Sequence, residues 1–304
     1  MNKSIKRPIK AAFKDLKYGF NLAFYSLSRK NRKKKPLIRY CENGSVSPDY
    51  DRPVCLFCNY DKESVIRDHV YHYLNALVLA GFDIVFISSS NAISKADLRR
   101  LSGYCIKILN RENKGYDFYG WKTGLEKYPQ YNAHAGLLLA NDSVLGPLFS
   151  ISDIVTRLEN CDADIIGMTD CFRFYPHLQS YFLYCKKNVI LSEEFMRFFR
   201  EVDVYELKMV IVRKYEVGFS RLLGQRFRLS ALYGLENVLA QVDYHERPMR
   251  WIDPCFQLWK PLIAELKFPF LKRNIVTKKG VSIKEVSAAL AESGSAYNLD
   301  ILTG

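Results

Sequence analysis

Three stretches of this 304-residue chain carry side chains whose types and spacing could do chemistry. Asn113-Lys114-Gly115-Tyr116-Asp117-Phe118-Tyr119-Gly120 follows an apolar run and opens a helical one. Glycines there let the backbone approach a ligand, and the start of a helix favours phosphate. The glycine spacing fits neither a Walker loop nor a GxGxxG fingerprint, so a tight strand-to-helix turn is the plain alternative. Asn141-Asp142-Ser143 ends a leucine-rich run. A buried Asp without a partner is costly, and a hard divalent cation carrying a diphosphate would be a fitting partner for Asp142. Its alternative role is to cap the turn Val144-Leu145-Gly146-Pro147. Glu216 stands in a helical, apolar neighbourhood, Tyr215-Glu216-Val217-Gly218-Phe219-Ser220. Desolvation raises a carboxyl pKa, which suits a general base. A surface glutamate paired with Lys214 or Arg213 is the other reading, and Asp170 is the rival base.

The histidines and cysteines say less. His177 lies in a polar loop before Leu178-Gln179-Ser180 and is a candidate for substrate contact. His69 and His72 are three apart on a helix without a third ligand nearby, so packing or a surface position is their expected role. Cys55 and Cys58 invite a zinc reading, but residues three apart on a strand point to opposite faces and no second pair follows. Most of the eight cysteines sit in apolar runs and read as small hydrophobes in a reducing cytoplasm. No GxSxG elbow occurs.

The elements that must position these residues can be read next. With 48% apolar and 25% charged residues, disorder and fibrous repeats are excluded. The net charge of +13 is uneven: residues 1–35 hold 12 Lys/Arg and one acid, whereas residues 36–304 hold 33 basic and 31 acidic side chains. The nearly neutral body argues against nucleic acid as a partner. Residues 1–35 place Ile5, Ile9, Phe13, Leu16, Phe20, Phe24 and Leu27 at helical spacing among lysines, ahead of a basic cluster at 29–35. This pattern suits an anionic membrane surface; a solvated tail is the bland alternative. No run is long and apolar enough to span a membrane. Residues 36–52 read as a linker rich in breakers.

Beyond residue 52, strand and helix signals alternate. Strands are expected at 54–58, 84–88, 105–109, 135–140, 164–168 and 181–185, with helices at 62–80, 94–100, 118–127 and 152–158. The pattern predicts an α/β fold, a Rossmann-type mostly parallel sheet flanked by helices, followed by a helical C-terminal part. Ligands of such folds bind beyond the carboxyl ends of the strands, and those ends here are polar. Residues 276–304 read as a weakly specified tail.

Taken together, five runs resemble the rhamnan synthesis protein F family of bacterial glycosyltransferases. They are Arg111-Glu112-Asn113-Lys114-Gly115-Tyr116-Asp117-Phe118, Asn141-Asp142-Ser143-Val144-Leu145-Gly146-Pro147, Gln179-Ser180-Tyr181-Phe182, Tyr215-Glu216-Val217-Gly218 and Pro269-Phe270-Leu271-Lys272-Arg273, in that order. The resemblance covers about residues 54–275 and implies a GT-A-like transferase domain at 53–275. It implies sugar transfer from a nucleotide sugar, typically dTDP-rhamnose, to a lipid-linked glycan. That places the protein in the cytoplasm, peripheral on the inner face of the membrane. By analogy with inverting enzymes of that fold, Asn113, Gly115 and Asp117 would hold the donor, as would Asn141 and Ser143. Asp142 would bind Mg2+ or Mn2+, Glu216 would be the base, and Gln179 and Ser180 would line the acceptor side. The first acidic position of an Asp-x-Asp metal motif is Ala140 here, so Asp142 stands alone. A non-catalytic accessory protein of a polysaccharide assembly complex is the alternative function.

Overall fold

The computed structural model describes residues 36–205, 207–246, 248–277 and 280–297. The basic segment at 1–35, and with it the membrane expectation, lies outside the described residues. The strands are β1 (Ile38–Asn43), β2 (Val54–Asn59), β3 (Asp83–Ser88), β4 (Lys107–Arg111), β5 (Gly136–Asn141), β6 (Val144–Leu145), β7 (Ile165–Cys171), β8 (His177–Leu178), β9 (Phe182–Lys186), β10 (Leu229–Tyr233) and β11 (Leu271–Lys272). The main sheet runs β1-β4-β3-β2-β5-β9-β7-β10, with β8 added to β7. Strands β2, β3, β4 and β5 are mutually parallel, as are β7 and β10. Strand β9 lies antiparallel between β5 and β7, so β5 and β7 point the same way. The expected mostly parallel sheet is present.

The sheet is covered on both faces, which is why β2, β3 and β5 are buried along their whole length instead of alternating. Side chains still divide by parity. Cys55 and Phe57 join one core with helices Asp68–Leu79, Lys95–Ser102 and Ser152–Asn160. Val54, Leu56 and Cys58 join the other, with helices Tyr116–Lys127, Glu193–Arg200 and Val217–Leu223. Cys55 and Cys58 thus face opposite sides, as their spacing requires. Each fully buried Leu or Phe contributes ~1.5–3 kcal/mol. Trp121 adds a polar tie: its indole N–H donates to Leu56 O at 3.1 Å and Ala140 O at 3.2 Å, on adjacent strands.

The structure corrects three boundaries. The segment read as a linker supplies β1, an exposed edge strand antiparallel to β4. The helix expected from residue 62 starts at Asp68, because the Asp61 carboxylate accepts the N–H groups of Glu63 and Val65 and shapes a turn first. The segment read as a tail contains helix Ile283–Ser293, opened by a reciprocal Ser282–Glu285 capping box. That helix buries Val286, Ala289 and Leu290 against Leu145, Ile263 and Leu271.

Six strands end at one rim. The chain passes from β2 outward through β3 and β4, then returns to β5 on the other side of β2. The reversal between β2 and β5 is where such sheets open a crevice.

Candidate active site

The turn after β4 is built around one side chain. Arg111 is 2% exposed, and its guanidinium donates to three carbonyls: Glu112 O at 2.9 Å, Lys114 O at 2.7 Å and Tyr116 O at 2.7 Å. Gly115 caps the next helix at φ 79°, and a Cβ there would lie 2.7 Å from that of Tyr119. The turn therefore requires glycine. Asn113, Lys114, Gly115, Tyr116 and Asp117 line a cavity of about 520 Å³ together with Tyr60, Ser89, Val204 and Tyr205.

A second cavity, of about 320 Å³, shares Tyr116 and Asp117 with the first. Asn141, Ser143, His177, Gln179, Ser180 and Glu216 all line it. Asn141 Nδ2 donates to Asp117 Oδ2 at 3.1 Å, while its Oδ1 accepts the Ser143 N–H at 3.1 Å. Burial pushes the Asp117 carboxyl up, against the pull of Arg111, Lys208 and Lys272. Glu216 closes one turn of π-helix, Val212–Glu216, between two α-helical stretches. Such single turns re-aim a side chain, and this one brings Glu216 Oε1 to the Ser180 N–H at 2.8 Å and the Ser180 hydroxyl at 2.9 Å. Glu216 thus makes no surface pair with Lys214; its partner is 36 residues away in sequence. His177 Nδ1 lies 2.7 Å from Tyr175 O, which fixes its ring.

Two predicted residues stand elsewhere. Asp170 Oδ1 accepts the Leu235 N–H at 2.6 Å, at the start of helix Leu235–Leu239, and the residue does not line the cavity. A carboxylate at a helix start satisfies an otherwise orphaned N–H. Asp142 lines neither cavity, although its neighbours Asn141 and Ser143 line the second. Its Oδ2 accepts Asn59 Nδ2 at 2.9 Å and the Tyr60 N–H at 3.2 Å, and Arg273 Nη1 is 3.4 Å away. Burial dominates there and raises the carboxyl to about 7, although Arg273 and the Tyr60 N–H pull it down.

This donor set does not fit a divalent cation. Mg2+ demands six oxygen ligands in near-octahedral array. Asp142 is instead surrounded by N–H donors and a guanidinium. Among the described residues no three His, Cys, Asp or Glu side chains are grouped to hold a metal.

Three site residues carried no role in the sequence reading. Arg111 builds the turn. Asp253 lines the second cavity, accepts Gln179 Nε2 at 3.1 Å and is raised by burial. Lys272 also lines it, with Nζ 3.5 Å from Ser143 Oγ and 4.2 Å from the centre of the Tyr181 ring. The run Pro269-Phe270-Leu271-Lys272-Arg273 was the only sequence signal for Lys272.

The family described as rhamnan synthesis protein F matches residues 84–302, most of the chain and, but for Asp83, every strand from β3 onward. This chain belongs to that family. Two relatives extend the comparison. An uncharacterized protein, y4gN, of Sinorhizobium fredii is 30% identical over 182 residues, covering 57% of this chain and 47% of its own length. The chain thus spans about half of that relative. The virulence protein VirA of Vibrio anguillarum is 23% identical over 272 residues, covering 79% of this chain and 84% of its own. Among solved structures, the bifunctional glycosyltransferase WbbM aligns at 12% identity and TM-score 0.41, over 86% of this chain and 53% of that one. A mannosyltransferase from Pyrobaculum calidifontis, complexed with GDP-Man and Mn2+, aligns at 10% identity and TM-score 0.38, over 97% and 89%. No helix among the described residues is long and apolar enough to cross a membrane.

Proposed function

We propose that this member of the rhamnan synthesis protein F family moves a sugar from a nucleoside diphosphate to a hydroxyl of a glycan acceptor. One observation carries the proposal: a larger and a smaller cavity meet at Tyr116 and Asp117, and the Glu216 carboxylate lies in the smaller one. The larger takes the nucleotide and the smaller takes the sugar and the attacking hydroxyl. Glu216 accepts the hydroxyl proton while the acceptor oxygen bonds to the anomeric carbon. The bond from that carbon to the diphosphate breaks, and its electron pair leaves with the diphosphate. Attack on the face opposite the leaving group inverts the anomeric centre. The Ser180 N–H and hydroxyl fix Glu216 Oε1, so the carboxylate is aimed before substrate arrives.

The donor in this reading is dTDP-rhamnose, on the strength of the family description. The acceptor is a lipid-linked glycan of lipopolysaccharide O-antigen, capsule or another cell-surface polysaccharide. The transferase domain takes in β1 at its start and the capped helix Ile283–Ser293 at its end, and residues 1–35 hold it on the inner face of the cytoplasmic membrane. The Mg2+ or Mn2+ expected at Asp142 takes no step in this mechanism.

The test is nucleotide release from dTDP-, UDP- and GDP-sugars with purified glycolipid acceptor. Glu216→Gln is expected to lower turnover about a hundredfold or more while leaving nucleotide affinity within about twofold. Full turnover by the variant removes Glu216 as base. Absence of release from every donor favours the non-catalytic accessory role.

A further inference from the structure

We propose that the donor diphosphate is neutralised by the ammonium groups of Lys272 and Lys208 rather than by a divalent cation. The proposal rests on the glycosyltransferase reading above. Lys272 is presented by β11, which pairs antiparallel with β6 so that Lys272 lies opposite Val144. The neighbouring Arg273 N–H donates to Ser143 O at 3.0 Å. The strip is thus fastened to the Asn141-Asp142-Ser143 run, where a cation-binding carboxylate pair is missing. Phe268, Phe270 and Leu271 are each at most 2% exposed and fix its position.

The surroundings of Lys272 suit an incoming anion. Its Nζ meets a hydroxyl and an aromatic face, and its charge also reaches the Asp253 and Asp117 carboxyls, with neither of which it forms an ion pair among the described residues. Lys208 lines the same cavity from the exposed start of Lys208–Ile211, two turns before Glu216. Both lysines lower the Asp117 carboxyl from its raised level, which places their field at the junction of the two cavities. The junction is where a diphosphate must lie if the nucleotide fills one cavity and the sugar the other. The diphosphate carries two negative charges in the nucleotide sugar and gains a third as the bond to the anomeric carbon breaks, and two ammonium groups offset most of that charge. An ammonium is a compact point charge able to follow phosphate oxygens as the glycosidic bond breaks. Fixed positive groups in a partly dry site stabilise such a leaving group without reorganisation. Asp142, by contrast, is already turned onto Asn59, Tyr60 and Arg273.

The experiment is calorimetric titration of the full chain with dTDP, UDP and GDP and with the matching monophosphates, first in EDTA and then in excess Mg2+ or Mn2+. At least one diphosphate is expected to bind in EDTA, tighter than its monophosphate, with affinity changed less than about twofold by metal. Lys272→Met keeps the stem against Tyr181 and is expected to lose about tenfold in diphosphate affinity while monophosphate affinity holds. Lys272→Arg is expected to recover most of the loss, and Lys208→Met to lose less than Lys272→Met. A folding defect would weaken both nucleotides alike and leave their ratio unchanged. Diphosphate binding that requires metal, or a Lys272→Met variant that keeps the diphosphate preference, overturns this inference and leaves the transferase reading standing. No binding of any nucleotide, with or without metal, overturns both.

Discussion

Two strips deliver charge to the junction of the cavities, and they are held by opposite means. The turn at 111–117 is polar inside: one buried guanidinium gathers three carbonyls, and the backbone closes through a left-handed glycine. The strip at 268–273 is apolar inside: Phe268 and Phe270 pack against each other, and Phe270 also packs on Tyr73, Tyr181 and Phe182. A polar knot with one donor fails as a unit. An apolar contact weakens in proportion to the atoms removed. The first strip can hold an exact backbone curve for a ligand, and the second can hold a lysine whose side chain adapts.

The sharpest way to break this contrast is Arg111→Ala. Three carbonyls lose their donor together, so a loss of about 3–5 kcal/mol and of dTDP binding is expected in urea unfolding and calorimetry. Arg111→Lys should recover little, because a single ammonium cannot span the three acceptors. Unchanged stability in Arg111→Ala would show that water or the backbone holds the turn. A second probe is Asp142, which bridges the end of β2 and Arg273 of the apolar strip. Its native pKa is about 7 against an ordinary 3.8. The native state therefore keeps a proton that the unfolded chain releases, so this carboxyl's contribution to stability falls as pH rises between those values and is flat above them. The fall is at most about 4 kcal/mol, at ~1.4 kcal/mol per unit. Asp142→Asn should remove that slope from urea midpoints measured across the window. A slope equal to that of the native sequence would mean that Arg273 keeps Asp142 ionised. The smallest effect is expected from Phe270→Leu, about 1–2 kcal/mol in the same assay with dTDP affinity kept. A larger loss of nucleotide than of stability there would mean that the apolar strip is as geometry-critical as the polar turn.

The sequence made the inner sheet legible because its strands are short unbroken apolar runs between breakers. Strands β1 and β10 gave no such signal. Ile38–Asn43 is mostly exposed and Leu229–Tyr233 only half-buried, so pairing rather than pattern makes them strands. The direction of β9 is a property of its neighbours and cannot be read from alternation. The cap at Ser282 and Glu285 was readable but sits in a stretch whose glycines suggested a tail. At the site, Glu216 and the strand-end residues were visible as polar groups in apolar settings. Asp170 looked the same, since a helix-capping acid and a cavity acid share one sequence signature. Arg111, Asp253 and Lys272 became meaningful only through contacts with distant backbone and side chains, which no local pattern encodes.

The direction of β1 has a geometric outcome. Because β1 runs against the parallel strands, its first residues lie at the ligand rim: Ile38 pairs with Arg111, and Leu37 exchanges hydrogen bonds with Glu112, beside the Asn113–Gly115 turn. Residue 36 therefore leaves the sheet like a mooring line made fast at the mouth of the harbour. In the transferase reading, the chain thus enters the sheet beside the opening that donor and acceptor share.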